Sequence, residues 1–177
     1  MLERVSALAT AATYKSPALT IAEDRAFSLT QAAGLSADFE AKLARLVGEL
    51  PANVGRAMEG NGCTIMRVGP RHVWLIGGVL DDLAPKLTMF CAATPLSHSR
   101  TRLLLEGAPA RAVLAKGIPL DWHSNMFTPG TFALTGLHHM PLLVHCTGEQ
   151  RFHLYAMRTF AFCVWEWFTD AALEFAE

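Results

Sequence analysis

Histidine and cysteine crowd into one short stretch of this sequence: His138, His139, His145 and Cys146. Neutral imidazole and thiolate are zinc donors, and a zinc site needs three or four of them converging on one point. The spacing argues against convergence. Pro141–Cys146 reads as a strand, where successive side chains face opposite ways, so His145 and Cys146 diverge. His138 and His139 diverge likewise. At most two of the four can meet, and turn and sheet histidines account for them better. The cysteines Cys63, Cys91, Cys146 and Cys163 form no CxxC pair and read as buried free thiols in a reducing cytosol.

Two further groupings carry charge. Asp121 and His123 share a loop, and an aspartate that orients a histidine supports acid–base chemistry. No nucleophile or second acid lies beside them in the sequence. Arg100 and Arg102 share a strand face next to His98, an arrangement that suits either an anion or an exposed strand kept soluble by charge. The chain has no GxxxxGK[ST] loop, no GxGxxG after a strand, no HExxH and no GxSxG. Gly60-Asn61-Gly62 is a turn.

Hydrophobic residues make up 51% of the chain and charged residues 18%, against about 25% charged in ordinary domains. Such a chain has either a well-filled core or an apolar surface that meets a partner. The net charge is −1, with 15 Lys and Arg scattered and in no run. The basic footprint of a nucleic-acid binder is missing. No apolar run approaches the ~18 residues of a membrane span, and Phe160–Phe168 is interrupted by Glu166. The start, with Glu3 and Arg4 before small residues, does not read as a signal peptide. The expectation is a soluble cytoplasmic protein.

The elements that would position these groups follow from period and punctuation. Residues 1–25 read as an N-terminal arm or loose helix, broken by Pro17. Ala26–Gln31 is a strand. Ser36 is a predicted N-cap for a helix with Phe39, Leu43, Leu46, Val47 and Leu50 on one stripe, braced by Asp38 and Lys42 at i, i+4 and stopped by Pro51. Cys63–Val68 and His72–Ile76 form a hairpin. A helix from Asp81 or Asp82 carries Leu83, Leu87 and Phe90/Cys91. Arg100–Glu106 is a strand, followed by a helix between Pro109 and Gly117. Thr131–Gly136, Pro141–Cys146 and Arg151–Met157 are strands, and Thr159 is the predicted cap of a helix reaching about Phe175.

The pattern repeats at an offset of about 78 residues. An arm over 1–25 precedes a βαββα lobe over 26–95 and a βαββ(β)α lobe over 96–177, the second with one extra strand. The fold class is therefore α+β: two pseudo-repeated, ferredoxin-like split βαβ lobes, with helices on mainly antiparallel sheets. In the last helix Phe160, Cys163, Val164, Trp167, Phe168, Ala171 and Phe175 form the expected core stripe. Phe162, Trp165 and Leu173 project from nearly the opposite side, and Glu166, Asp170 and Glu174 leave only a narrow polar strip. A helix apolar almost all round is buried on more than one side, so Phe162, Trp165 and Leu173 are the candidate partner-facing residues.

The C-terminal half carries a specific resemblance. It reads His98-Ser-Arg-Thr-Arg-Leu-Leu-Leu-Glu-Gly107, then Ala108-Pro-Ala-Arg-Ala-Val-Leu-Ala-Lys-Gly117 and Ile-Pro-Leu-Asp121. It closes with Phe152-His-Leu-Tyr-Ala-Met-Arg158, Trp165-Glu-Trp167 and Asp170-Ala-Ala172. This resembles the gamma subunit of heterotetrameric sarcosine oxidase, a relative of the folate-binding domain of aminomethyltransferases (the glycine-cleavage T-protein). Val68-Gly-Pro-Arg-His-Val-Trp-Leu-Ile76 resembles the family's hairpin more weakly.

The resemblance implies a non-catalytic structural subunit of an assembly with alpha, beta and delta chains. That assembly demethylates sarcosine to glycine, with tetrahydrofolate as one-carbon acceptor. FAD, FMN, NAD, zinc and tetrahydrofolate are expected on the partner subunits and none on this chain, which packs chiefly against alpha. The resemblance carries over no catalytic, cofactor-binding or metal residue. The alternative is a stand-alone tetrahydrofolate-binding protein, for which Trp122 and Asp121 are the local pterin candidates. A third reading is a metal enzyme using the histidines.

Overall fold

The computed structural model describes residues 5–77 and 80–176. It divides into two units, Ala26–His98 and Met1–Arg25 with Ser99–Glu177.

In the first unit the strand β3 (Ser28–Gly34) leads to helix α1 (Phe39–Val47), then to β4 (Ala57–Glu59), β5 (Cys63–Gly69) and β6 (His72–Gly77). Helix α2 (Leu80–Leu87) and β7 (Cys91–Pro95) close it. The sheet order is β4-β5-β6-β3-β7, all antiparallel. Within it β5-β6-β3-β7 is the split βαβ arrangement, in which β6 lies between β3 and β5. Phe39, Leu43 and Val47 are the buried face of α1, and they meet Ile65, Val73, Leu75 and Leu87. The Asp38–Lys42 ion pair forms at 2.7 Å.

Three local expectations differ here. No side chain caps α1: the Ser36 carbonyl accepts the Phe39 N–H, and the Ser36 hydroxyl turns to Asp38 instead. Cys91 opens a strand rather than continuing α2, because β3 offers it a pairing edge. β4 is a third meander strand that the sequence hid. It is three residues long and mostly exposed, too short for an alternating signal.

The second unit repeats the plan. β8 (Arg100–Gly107) leads to α3 (Ala110–Ala115), β9 (Phe132–Leu137), β10 (Met140–Gly148), β11 (Arg151–Met157) and α4 (Ala161–Ala172), with short 3-10 turns flanking α4. With β1 (Tyr14–Lys15) and β2 (Leu19–Glu23) at one edge, the order is β1-β2-β8-β11-β10-β9, again antiparallel. The strand beside β8, equivalent to β7 beside β3, comes from the start of the chain: β2 (Leu19–Glu23), edged by β1 (Tyr14–Lys15).

A loose helix is thus not what the first 25 residues form, although residues 1–4 lie outside those described. Leu8, Leu19 and Ile21 are buried in the second unit's core. The small residues and Pro17 gave no local period, and the pairing partner of β2 lies far along the chain. Gly107 enforces that pairing: its φ is +143°, and a Cβ there would sit 2.1 Å from the Ala18 carbonyl oxygen.

Leu19 fills the core from a strand held only by β1 and β8. Leu19→Ala should cost about 2–5 kcal/mol, read as a lowered denaturation midpoint. An unchanged midpoint would show that residues 1–25 are peripheral to the unit.

Candidate functional site

The Lys116-Gly117-Ile118-Pro119 segment follows α3 and packs against α4. At Gly117 an added Cβ would lie 2.4 Å from the Trp167 ring, so only glycine lets that indole seat there. Trp167 also stands edge-on to Phe168 and His138. Lys116 donates to the Ala171 carbonyl at 2.7 Å, pairs with Glu174 and lies over the Phe175 ring. These contacts cluster at the last turns of α4, where a cation is favoured by the carbonyl ends of the helix. The motif is a structural clasp.

The loop beyond it is equally tied down. Trp122 is buried, donates its indole N–H to the Ile118 carbonyl at 3.1 Å and packs edge-on against Phe127 and Phe152. Arg111 donates to the carbonyls of Trp122, Phe127 and Glu149 and lies over Phe152. Asp121 accepts the His123 N–H at 2.9 Å, an Asx turn, while His123 Nδ1 accepts from the Asn125 N–H. The Asp121–His123 pair therefore shapes a turn. Trp122, a candidate pterin platform, is part of the core.

The histidines separate as their strand positions require. His138 and His139 occupy the turn between β9 and β10, with His138 at φ +53°. Cys146 lies in the core with Leu142 and Val144, while His145 faces the other side of the sheet. No group of three or more ligating side chains that could hold a metal occurs among the described residues.

That other side carries the densest ionisable chemistry in the unit. Arg102 on β8 is buried and pairs with Asp24 at 2.7 Å. His153 on β11 sits 3.7 Å from the same carboxylate and edge-on to Tyr155. His145 is the cross-strand neighbour of His153, and its Nδ1 makes no hydrogen bond among the described residues. Burial pushes the His145 pKa down to about 4, helped by His153 and Arg102. Burial does the same to His153, also to about 4, reinforced by Arg102 and opposed by Asp24. A neutral His153 beyond hydrogen-bond distance makes no ion pair with Asp24, so Arg102 is the cation that balances that carboxylate. Sequence reasoning found Arg102 and His145 but not their convergence, because Asp24 arrives on the N-terminal chain. Arg100, the other cation on that strand, is half-buried and donates to Ser99.

The three candidate partner-facing residues part company. Phe162 and Leu173 are 50% and 60% exposed, whereas Trp165 is 7% exposed and lies in the unit's own core. The buried positions of α4 are Ala161, Val164, Trp165, Phe168 and Ala172. That stripe is rotated from the expected one, so Cys163, expected buried, is exposed, while Cys63, Cys91 and Cys146 are buried free thiols. Apolar residues surround this helix almost completely, so its period could not fix which face meets the sheet. Nor does Thr159 cap it: a 3-10 turn over Arg158–Phe160 precedes α4, and no side chain caps either.

Comparison with known proteins fits this architecture. Glycine cleavage system aminomethyltransferase T from Bartonella henselae superposes with a TM-score of 0.69 at 16% identity, over 86% of this chain and 46% of that one. The fold is thus shared with about half of an aminomethyltransferase chain. A chain of heterotetrameric sarcosine oxidase from Corynebacterium sp. U-96, solved with pyrrole 2-carboxylate, superposes with a TM-score of 0.85 at 28% identity. The match covers 98% of this chain and 97% of that one.

The family model "Sarcosine oxidase, gamma subunit family" matches residues 83–174. Sarcosine oxidase subunit gamma of Corynebacterium sp. (strain P-1) is 33% identical over 77% of this chain and 70% of its own length. The Arthrobacter sp. subunit is 32% identical over 80% of this chain and 72% of its own length. The chain belongs to the sarcosine oxidase gamma subunit family. No helix among the described residues is long and apolar enough to cross a membrane.

Two outcomes are expected. Gly117→Ala should displace Trp167 and lower the midpoint of thermal unfolding, with quenched or shifted tryptophan fluorescence; an unchanged melt and spectrum would show that the clasp yields freely. The unfolded chain protonates its histidines near pH 6.5, while His145 and His153 stay neutral in the fold down to about pH 4. Their share of stability is therefore complete above pH 6.5 and is lost as pH falls toward 4, by up to about 3 kcal/mol per histidine. Urea titrations across that window should show the loss, with a shallower slope in His145→Gln; equal slopes would place the acid sensitivity elsewhere.

Proposed function

We propose that this chain is a non-catalytic structural subunit of a sarcosine-oxidase-like heterotetramer. In this reading the assembly oxidatively demethylates sarcosine to glycine, and tetrahydrofolate takes up the one-carbon unit. FAD, FMN, NAD, zinc and tetrahydrofolate reside on the partner subunits. The alpha subunit is this chain's main contact, with beta and delta completing the assembly in the cytoplasm. The observation that carries the reading is the near end-to-end match to one chain of a heterotetrameric sarcosine oxidase.

The local chemistry supports it. The clasp, the Asx turn and the seated Trp122 use polar and aromatic groups for internal contacts. The exposed Phe162 and Leu173 supply apolar area of the kind that interfaces bury. A stand-alone folate binder would need a platform other than Trp122.

Co-expression with the alpha, beta and delta chains of a sarcosine-oxidase-like enzyme is the test. The purified oxidase should contain this chain in stoichiometric amount. Phe162→Glu combined with Leu173→Glu should weaken its retention about tenfold or more, with an unchanged circular dichroism spectrum. An active oxidase that never retains the wild-type chain would end the subunit reading.

A further inference from the structure

In the first unit, α1 and the end of α2 border a groove of about 400 Å³ lined by Lys42, Arg45, Leu46, Lys86, Met89 and Phe90. Its chemistry is of two kinds. Leu46 and Phe90 are half-buried against the core and form an apolar floor. Met89 stands 85% exposed beside them, an adaptable thioether side chain of the kind that suits binding surfaces. Around this floor stand the cations Lys42, Arg45 and Lys86. Lys42 is held by Asp38, whereas neither Arg45 nor Lys86 makes an ion pair among the described residues. In a protein with net charge −1, the unpaired Arg45 and Lys86 beside a greasy trough form a local field of the opposite sign.

We propose that this groove docks an acidic amphipathic segment of another subunit of the assembly. Apolar side chains of that segment enter between Leu46, Met89 and Phe90, and its carboxylates meet Arg45 and Lys86. The claim rests on the subunit reading above and goes beyond it by placing a second docking surface on the unit that does not contain α4. Charge complementarity selects an acidic occupant: a basic or neutral segment would leave the cations facing like charge or losing solvent without compensation. The occupant is assigned to a different chain. The acidic apolar face of this protein is the side of α4 with Phe162, Glu166, Asp170 and Leu173. That face lies on a helix whose own apolar residues, Phe162 and Leu173, are assigned above to the subunit contact, so a different chain supplies the acidic segment, and a second copy is an outcome the crosslink reads.

The experiment adds the full-length chain back to oxidase lacking it and measures binding at rising sodium chloride. Wild-type binding should weaken with salt, since the Debye length falls from about 10 Å at 0.1 M to about 3 Å at 1 M. The Arg45→Glu/Lys86→Glu double variant should bind about tenfold or more weaker, with little salt dependence left. Arg45→Lys should stay near wild type. Should the double charge reversal alter the circular dichroism spectrum, Arg45→Gln/Lys86→Gln replaces it, with the same direction expected. A photo-crosslinking residue in place of Met89 should capture a stretch of another subunit bearing two or more carboxylates. Wild-type affinity in the charge variants, a crosslink to a second copy of this chain, or a crosslink to a stretch without carboxylates would overturn the groove assignment while leaving the subunit reading in place. Failure of the wild-type chain to bind at all would remove the subunit reading itself.

Discussion

The second unit depends on the antiparallel seam that β8 makes with β2 on one side and β11 on the other. β8 is the strand from which α3 departs, and its Leu103 and Leu105 anchor the core beneath α4. Without β2 its outer edge would present unsatisfied N–H and C=O groups, a site for pairing with another chain. The N-terminal residues close that edge, and they bring Asp24 to Arg102 in doing so. Strand pairing and the buried charge pair thus come from one event. A seam of such sequence separation forms only after a long loop closes, so its cost in chain entropy is met by Leu19 and Ile21 entering the core.

Burial then governs the chemistry. Arg102 and Asp24 can stay charged because they are 2.7 Å apart. His145 and His153 cannot hold a proton cheaply in the same surroundings, since a buried cation beside Arg102 has no counter-ion of its own. His145 and His153 are therefore neutral packing groups, and Asp121 and His123 shape a turn. The large apolar side chains left exposed include Phe162 and Leu173 on α4 and Met89 by the α1–α2 groove.

The repeat is more complete than the periodicity suggested. β4 corresponds to β9, and β7 to β2, so both sheets have the same core order, the second completing it with a strand from the start of the chain. Internal duplication of this kind explains why the two hairpin-and-helix segments were legible at a fixed offset while β4 and β2 were not. β5, β6, β10 and β11 alternate or run apolar long enough to declare themselves. β4 is three residues long, and β2 sits among small residues.

The sequence by itself determined whatever local sterics and periodicity control: the hairpins, the α1 stripe of Phe39, Leu43 and Val47, the divergence of His145 from Cys146, and the family resemblance in the Lys116-Gly117 and Trp165-Glu-Trp167 segments. Only the tertiary structure decided which face of α4 turns inward, why Gly117 must lack a side chain, and that Asp24, Arg102, His145 and His153 form one cluster. The reason is physical. A helix apolar on nearly every side has no preferred phase until a sheet is laid against it, and groups far apart in the chain acquire a common electrostatic environment only when strand pairing brings them within a few ångströms.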